Sequence, residues 1–314
     1  MGDLVTRLCH ATGLSIADVR RIVLTAPRRY KTYMIPKRSG GLREIAQPAR
    51  ELKALQYVLL DEWLSKLPVH ESAVAYRTGL SIADNARIHA GSSAILKMDF
   101  KEFFPSIHAV DWKRYCRKHD LFDADDIEIS SRILFRLAKR EKTLKLSIGA
   151  PSSPMLSNIL LFEFDAMVAD EASRRGIRYS RYADDITFSG QRIGLLKDML
   201  KVVQSSIRDT PCPKLQINSE KTNFVSTKFR RNVTGLVLGN DGEVGIGREK
   251  LRLLRSRVFR ALRSQLPEDE ILSLAGYLAF VRGADPASFS KLQEKYGSAQ
   301  IDRIMQSMQK GQKR

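Results

Sequence analysis

Three aspartates sit where aspartate is least expected. Asp99 closes the apolar run Ala94-Ile95-Leu96-Lys97-Met98, and Asp184 and Asp185 lie between the β-rich runs Ile177 to Tyr182 and Ile186 to Ser189. Carboxylates are depleted within strands, so acids at strand ends flanked by buried-type residues call for a reason. Gathering them is electrostatically costly unless a divalent cation lies between them. Magnesium suits such a place, because it is bound by one or two carboxylates together with substrate phosphates. Two such ions could activate a primer hydroxyl and steady a leaving pyrophosphate. An isolated Asp-Asp pair is most often a plain β-turn, so the case rests on its surroundings.

The elements that must carry these acids are legible in outline. Ala94 to Asp99 reads as a short buried strand, and the two runs joined by Ala183-Asp184-Asp185 read as a hairpin with the acids at its tip. Upstream, Thr12 to Leu24 reads as a helix opened near Ser15 and stopped before Pro27. Tyr30 to Gln47 reads as a strand pair around Lys37-Arg38-Ser39-Gly40-Gly41, where glycine permits positive φ. Pro48 introduces a helix with the apolar stripe Leu52, Leu55, Leu59 and Trp63. Ile127 to Arg140, Pro154 to about Ser173 and Arg248 to Ser264 also read as helical. Strands and helices mix without regular βαβ alternation, which predicts an α+β fold. The Gly-rich stretch Gly239 to Gly247 divides the chain into residues 1–238 and a C-terminal unit, 239–314.

Charge narrows the partner. The chain has 53 Lys and Arg against 35 Asp and Glu, a formal net charge of +18, and a field of that sign favours a polyanion, with nucleic acid foremost. Much of the surplus lies on Arg248 to Arg263, where Arg248, Lys250, Arg252, Arg255, Arg257, Arg260 and Arg263 face the single acid Glu249. Leu251, Leu254, Val258 and Ala261 follow helical spacing and can dock on a core, leaving most cations outward to hold phosphate without reading sequence. Three scattered cysteines, Cys9, Cys116 and Cys212, argue against a disulfide framework and for a reducing compartment. No apolar run approaches a membrane span and the N-terminus lacks signal-peptide regions, so a cytoplasmic protein without a membrane partner is expected. Asp123-Ala124-Asp125-Asp126 is rich in acid but precedes an apolar-periodic segment, so capping explains it. Cys116-Arg117-Lys118-His119 has half the spacing of a zinc site, and no second pair follows.

Several segments resemble the reverse transcriptase family. Tyr182-Ala183-Asp184-Asp185 is similar to its Tyr-x-Asp-Asp signature, and Leu96 to Phe104 to the motif bearing the first catalytic aspartate. Gly149-Ala150-Pro151-Ser152-Ser153-Pro154 resembles the motif leading into the template-positioning helix, and Ile217 to Thr222 the next block. All four occur in family order. The resemblance implies a right-hand polymerase, with fingers and palm (an antiparallel sheet plus helices) over 1–238 and a small helical thumb over 239–314. It implies that Asp99 and Asp184 ligate two magnesium ions, with the Phe100 carbonyl assisting and Asp185 completing the acidic cluster. Phe104 falls at the steric-gate position that excludes a ribose 2′-hydroxyl. Arg43 matches an arginine that pairs with the incoming deoxynucleoside triphosphate, a role suited to guanidinium, and Lys221 falls near the same nucleotide. One departure stands out: Ile148 occupies the place of a family Gln, so that residue's polar contact near the nucleotide is missing or supplied elsewhere.

Further segments resemble the retron branch. Asn85-Ala86-Arg87-Ile88-His89 is similar to its Asn-Ala-x-x-His element, Val233-Thr234-Gly235 to its Val-Thr-Gly element, and Arg50 to Gln56 also looks retron-like. This implies RNA binding through Asn85, His89, Val233, Thr234 and Gly235, joined by Arg248, Arg252, Arg255 and Arg260. It also implies priming from an RNA 2′-hydroxyl on a structured noncoding RNA, giving branched RNA–DNA, in many retrons with an effector protein in anti-phage defence. A group II intron-like or diversity-generating reverse transcriptase would share the polymerase motifs, and a catalytically idle RNA-binding scaffold would keep the fold.

Overall fold

Ser15 opens a helix by accepting the Asp18 N–H at 3.1 Å, as its place before an apolar-periodic run predicts. The computed structural model describes residues 3–37 and 40–311, so Arg38 and Ser39 of the expected turn lie outside the described residues. The elements run α1 (Asp3–Thr12), α2 (Ile16–Thr25), β1 (Tyr30–Pro36), β2 (Leu42–Pro48), α3 (Arg50–Glu62), α4 (Ile82–Ile88) and β3 (Ala94–Asp99). After β3 come α5 (Phe103–Ser106), α6 (Ala109–Lys118), α7 (Ala124–Leu134), α8 (Ser153–Leu160), α9 (Phe162–Arg174), β4 (Arg178–Tyr182), β5 (Asp185–Gly190) and α10 (Ile193–Asp209). The chain continues through β6 (Asn223–Ser226), β7 (Arg231–Val233), β8 (Leu236–Leu238), β9 (Val244–Gly245), α11 (Arg248–Leu262), α12 (Glu268–Ala284), α13 (Pro286–Tyr296) and α14 (Ser298–Gly311).

The fold is α+β. β1 and β2 pair antiparallel from Tyr30↔Pro48 to Pro36↔Leu42, with Gly40 and Gly41 at φ 87° and 79° in the turn. A second sheet has the strand order β4-β5-β3-β6, and β7-β8-β9 form a third, antiparallel sheet. By contact density the chain makes two compact units, one of residues 1–76, 97–186 and 197–222, the other of 77–96, 187–196 and 223–314. Residue 239, where the sequence places the start of a thumb, lies in the second unit between β8 and β9. Among the described residues no helix is long and apolar enough to cross a membrane.

In the first unit α1, α2, α3 and α7 pack together, burying Leu4, Leu8, Val19, Leu52, Leu55, Leu59 and Ile133. Asp123 caps α7 by accepting the Asp126 N–H at 2.8 Å, which accounts for that acidic cluster. Two helices differ from expectation. The predicted helix to Arg140 ends at Leu134, because Phe135 turns extended (φ −118°, ψ 143°) with its ring buried, and Arg136 exchanges backbone hydrogen bonds with Lys145 at 2.8 and 2.9 Å. The apolar pattern carried on past the helix end because a buried extended segment needs the same residues. The helix expected from Pro154 to Ser173 is two, broken at Leu161.

The second unit has its own core. α11 docks through Leu254 and Val258, with Leu251 and Ala261 packed beside them, on Leu274, Leu278, Leu292 and Ile301 of the following helices. Ala83 and Ala86 of α4 belong to the same core, together with Val233 and Leu236. Asp285 binds this core to the third sheet, accepting from Ile246 N–H and Ser288 N–H at 3.0 Å each.

Candidate active site

The site is built on two backbone turns. β3 ends at Asp99, and the next N–H, of Phe100, donates to the Asp184 carbonyl at 3.1 Å, so the strand end and the hairpin tip lie side by side. The Asp99 carbonyl accepts the Asn218 N–H at 2.8 Å, and Lys101 N–H donates to the Gln216 carbonyl at 2.8 Å. This pairing delivers Lys221, whose Nζ donates to both Asp99 oxygens at 2.9 Å. The tip itself turns at Ala183, a buried residue with φ 57°.

Electrostatics marks the cluster. Burial, and then the negative charge of Asp185 beside it, push the Asp184 carboxyl up to about 6. Burial raises Asp185 as well; Lys97 opposes that rise and Asp99 adds to it. Such a site holds negative charge only at a cost, which a cation relieves. Among the described residues no three His, Cys, Asp or Glu side chains form a ready-made metal cage. Magnesium needs none, since substrate phosphates and water complete its shell.

The other expected nucleotide residues belong to the same unit. Arg43 is exposed on β2, opposite Ile35. Phe104, half-buried beside the buried Phe103, lines a cavity of about 300 Å³ with Lys53, Tyr57, Tyr76, Ile148 and Gly149. Gly149 is needed there: at φ 119°, a Cβ would come within 3.0 Å of the Ala46 carbonyl, while Ala46 N–H donates to Ile148 O at 2.8 Å.

Sequence reading missed what holds the tip. Arg181, fully buried, donates from Nε and Nη2 to the buried Asp165 at 2.8 and 2.6 Å, and from Nη1 to Asn158 Oδ1 and the Ala183 carbonyl at 3.1 Å each. Tyr179 donates to Asp165 at 2.7 Å, and Asn158 Nδ2 to the Ala75 carbonyl at 2.8 Å. An arginine inside a strand otherwise built to be buried was the available signal.

The residues expected to bind RNA lie in the second unit. Asn85, His89 and Val233 are buried; His89 Nδ1 lies 2.8 Å from Ser189 Oγ, and Asn85 Oδ1 has no hydrogen-bond partner among the described residues. Thr234, at φ 47°, donates to the Ile82 carbonyl at 2.9 Å, and Gly235 is exposed. The two elements thus meet, and of their five residues expected to contact RNA only Thr234 and Gly235 are not buried. On α11, Arg248, Arg252 and Arg260 are exposed, whereas Arg255 is half-buried.

Carboxylates at a strand end and a hairpin tip, in a chain this basic, mark a nucleotidyl-transferring polymerase. Residues 35–241 match the reverse transcriptase (RNA-dependent DNA polymerase) family. The chain is 35% identical to the retron Ec83 reverse transcriptase of Escherichia coli, over 88% of this chain and 89% of that protein. It is 34% identical to the Ec86 enzyme of the same organism over 94% and 91%, and 31% identical to the Mx65 enzyme of Myxococcus xanthus over 90% and 68%. This chain belongs to the retron reverse transcriptases, a family of RNA-directed DNA polymerases.

Proposed function

We propose that the protein copies part of a structured noncoding RNA into single-stranded DNA, priming from an RNA 2′-hydroxyl to give a branched RNA–DNA molecule. The observation that carries its catalytic part is the hydrogen bond from Phe100 N–H to the Asp184 carbonyl, which joins the two acidic strand ends in one cluster. The donor set suits magnesium: hard oxygens, partly buried, already drawing the Lys221 ammonium onto both oxygens of Asp99. Asp99 and Asp184, with the Phe100 carbonyl and Asp185, would hold two ions, which when bound supply activation of the primer hydroxyl and neutralisation of the leaving pyrophosphate.

The chain's own residues do the positioning. Arg43 meets the triphosphate with a guanidinium fork, and Lys221 adds positive charge beside the reacting phosphate. Phe104 walls the sugar side, where an added 2′-hydroxyl would clash. Residues 239–314 act as the thumb, with Arg248, Arg252 and Arg260 on phosphates, and the Thr234-Gly235 turn meets the RNA while Asn85, His89 and Val233 support it from beneath. An effector protein in a cytoplasmic anti-phage system would complete the assembly.

RNA-templated primer extension with magnesium, using Asp184→Asn as the control, tests the catalytic part. Incorporation lost with the control variant is expected; none by the wild type, with its own RNA supplied, would leave an RNA-binding scaffold. The nucleic acid that co-purifies tests the priming: a branched RNA–DNA species is expected, and an unbranched DNA would overturn it.

A further inference from the structure

The cavity that contains Phe104 has an apolar wall at Ile148, where the resembled family carries a glutamine, and a phenol facing the same space from Tyr76. Tyr76 has φ 63°, a left-handed conformation that a bulky residue keeps only where its surroundings over-determine it. The surroundings do so. Arg181 N–H donates to the Ser72 carbonyl at 2.7 Å, Val74 N–H donates to the Arg181 carbonyl at 2.9 Å, and Asn158 holds the Ala75 carbonyl at 2.8 Å. The buried network that fixes the Asp184 turn therefore also fixes the peptide leading into Tyr76. Although its backbone is so constrained, the residue is 44% exposed. Burial raises its phenol, and Asp184 raises it further while Arg43 opposes, so the hydroxyl lies within electrostatic reach of both the acidic cluster and the triphosphate arginine. Tyr57 also lines the cavity, but it sits on the regular helix α3 with Lys53 over its ring at 5.8 Å, and nothing holds it in a strained pose.

We propose that Tyr76 is a nucleotide-positioning residue whose hydroxyl hydrogen-bonds the sugar of the incoming deoxynucleoside triphosphate, replacing the contact that Ile148 cannot make. The inference rests on the polymerase reading, since Phe104 places the sugar in this cavity only if that reading holds. A phenol reaching in from Ser72–Tyr76 and an amide reaching in from position 148 would serve one ligand group from two sides. Sequence alone could not pair them, because the two positions are far apart in the chain.

The test is equilibrium binding of the complementary deoxynucleoside triphosphate to the enzyme on a dideoxy-terminated primer–template, which needs no turnover. Tyr76→Phe keeps the ring and the fold and should weaken Kd about five- to tenfold, the worth of one net hydrogen bond. In that background Ile148→Gln should return Kd to within about twofold of wild type. In extension assays the Phe variant should raise KM with kcat nearly unchanged. A Kd for Tyr76→Phe within twofold of wild type, a loss confined to kcat, or a defect that Ile148→Gln leaves in place overturns the proposal. If the wild type binds nucleotide in this Tyr76-dependent way yet never extends a normal primer, the polymerase reading fails and the contact stands.

Discussion

Replacing Arg181 with Met separates what the buried network does for stability from what it does for catalysis. Arg181 and Asp165 are both fully buried and share two hydrogen bonds of 2.8 and 2.6 Å, so removing the cation strands a carboxylate in the interior. Breaking a buried pair in this way costs about 3–5 kcal/mol. Tyr179 still donates to Asp165 at 2.7 Å, which favours the lower end. At roughly 2–4 °C per kcal/mol for a unit of this size, the melting midpoint should fall by about 6–12 °C from that lower-end cost. Adding Asp165→Leu removes both charges, and an apolar replacement of a buried pair is close to neutral, so most of the stability should return. Activity should not. The Ala183 carbonyl has lost its Arg181 donor, and with it the constraint on a turn at φ 57° that carries Asp184. Loss of a supporting partner of this kind costs about 10–100-fold in metal affinity or rate. Thermal unfolding followed by circular dichroism, beside RNA-templated primer extension, reads the two effects separately. A single variant that loses less than about 1 kcal/mol, or a double variant with full activity, would refute the reasoning.

Asp99→Asn and Asp184→Asn should each cut incorporation by more than about a hundredfold, beyond the effect of losing an outer partner, in the same extension assay. In EDTA, the contribution of Asp184 to stability, read as wild type against Asp184→Asn, should fall as pH rises from about 4 to about 6, because the folded Asp184 keeps its proton to about 6 while the unfolded one releases it near the ordinary carboxylate value. Over that window Asp184 binds fewer protons in the unfolded state, so the slope of this difference is negative; Asp184→Asn should be the more stable protein at pH 7, as melts of both proteins at the two ends of the window and at pH 7 would show. Replacing Arg248, Arg252 and Arg260 together with Ala should weaken RNA binding and lower the slope of log K against log salt by about 2–3, one phosphate contact each. Asp285→Ala removes the acceptor for Ile246 and Ser288 and should cost about 1–3 kcal/mol in urea unfolding, with RNA binding lost only as the second unit unfolds.

Much of this protein was legible from local pattern. An acid at the end of an apolar run announces itself within six residues, so Asp99, Asp184 and Asp185 could be singled out, and Ser15, Asp123 and the glycines at 40 and 41 mark turns and caps through their own backbone chemistry. The basic stripe of α11 and its docking side at Leu254 and Val258 follow from helical spacing alone. Where helix and buried extended chain demand the same apolar residues, as at Phe135, pattern could not tell them apart, and the pairing of Arg136 with Lys145 settled it.

Long-range partnership is what tertiary structure alone decided. Nothing near Arg181 in the chain says that Asp165 on α9 and Asn158 on α8 converge on it, or that Asn158 in turn holds the carbonyl of Ala75. The Asn85–His89 and Val233–Gly235 segments could be recognised one by one, yet only folding shows that three of their named residues are interior and that the two segments share a core. The physical reason is the same in each case. Residue type and spacing specify what a segment can bury or donate, whereas the identity of its partner depends on which distant segment packing brings within hydrogen-bond reach.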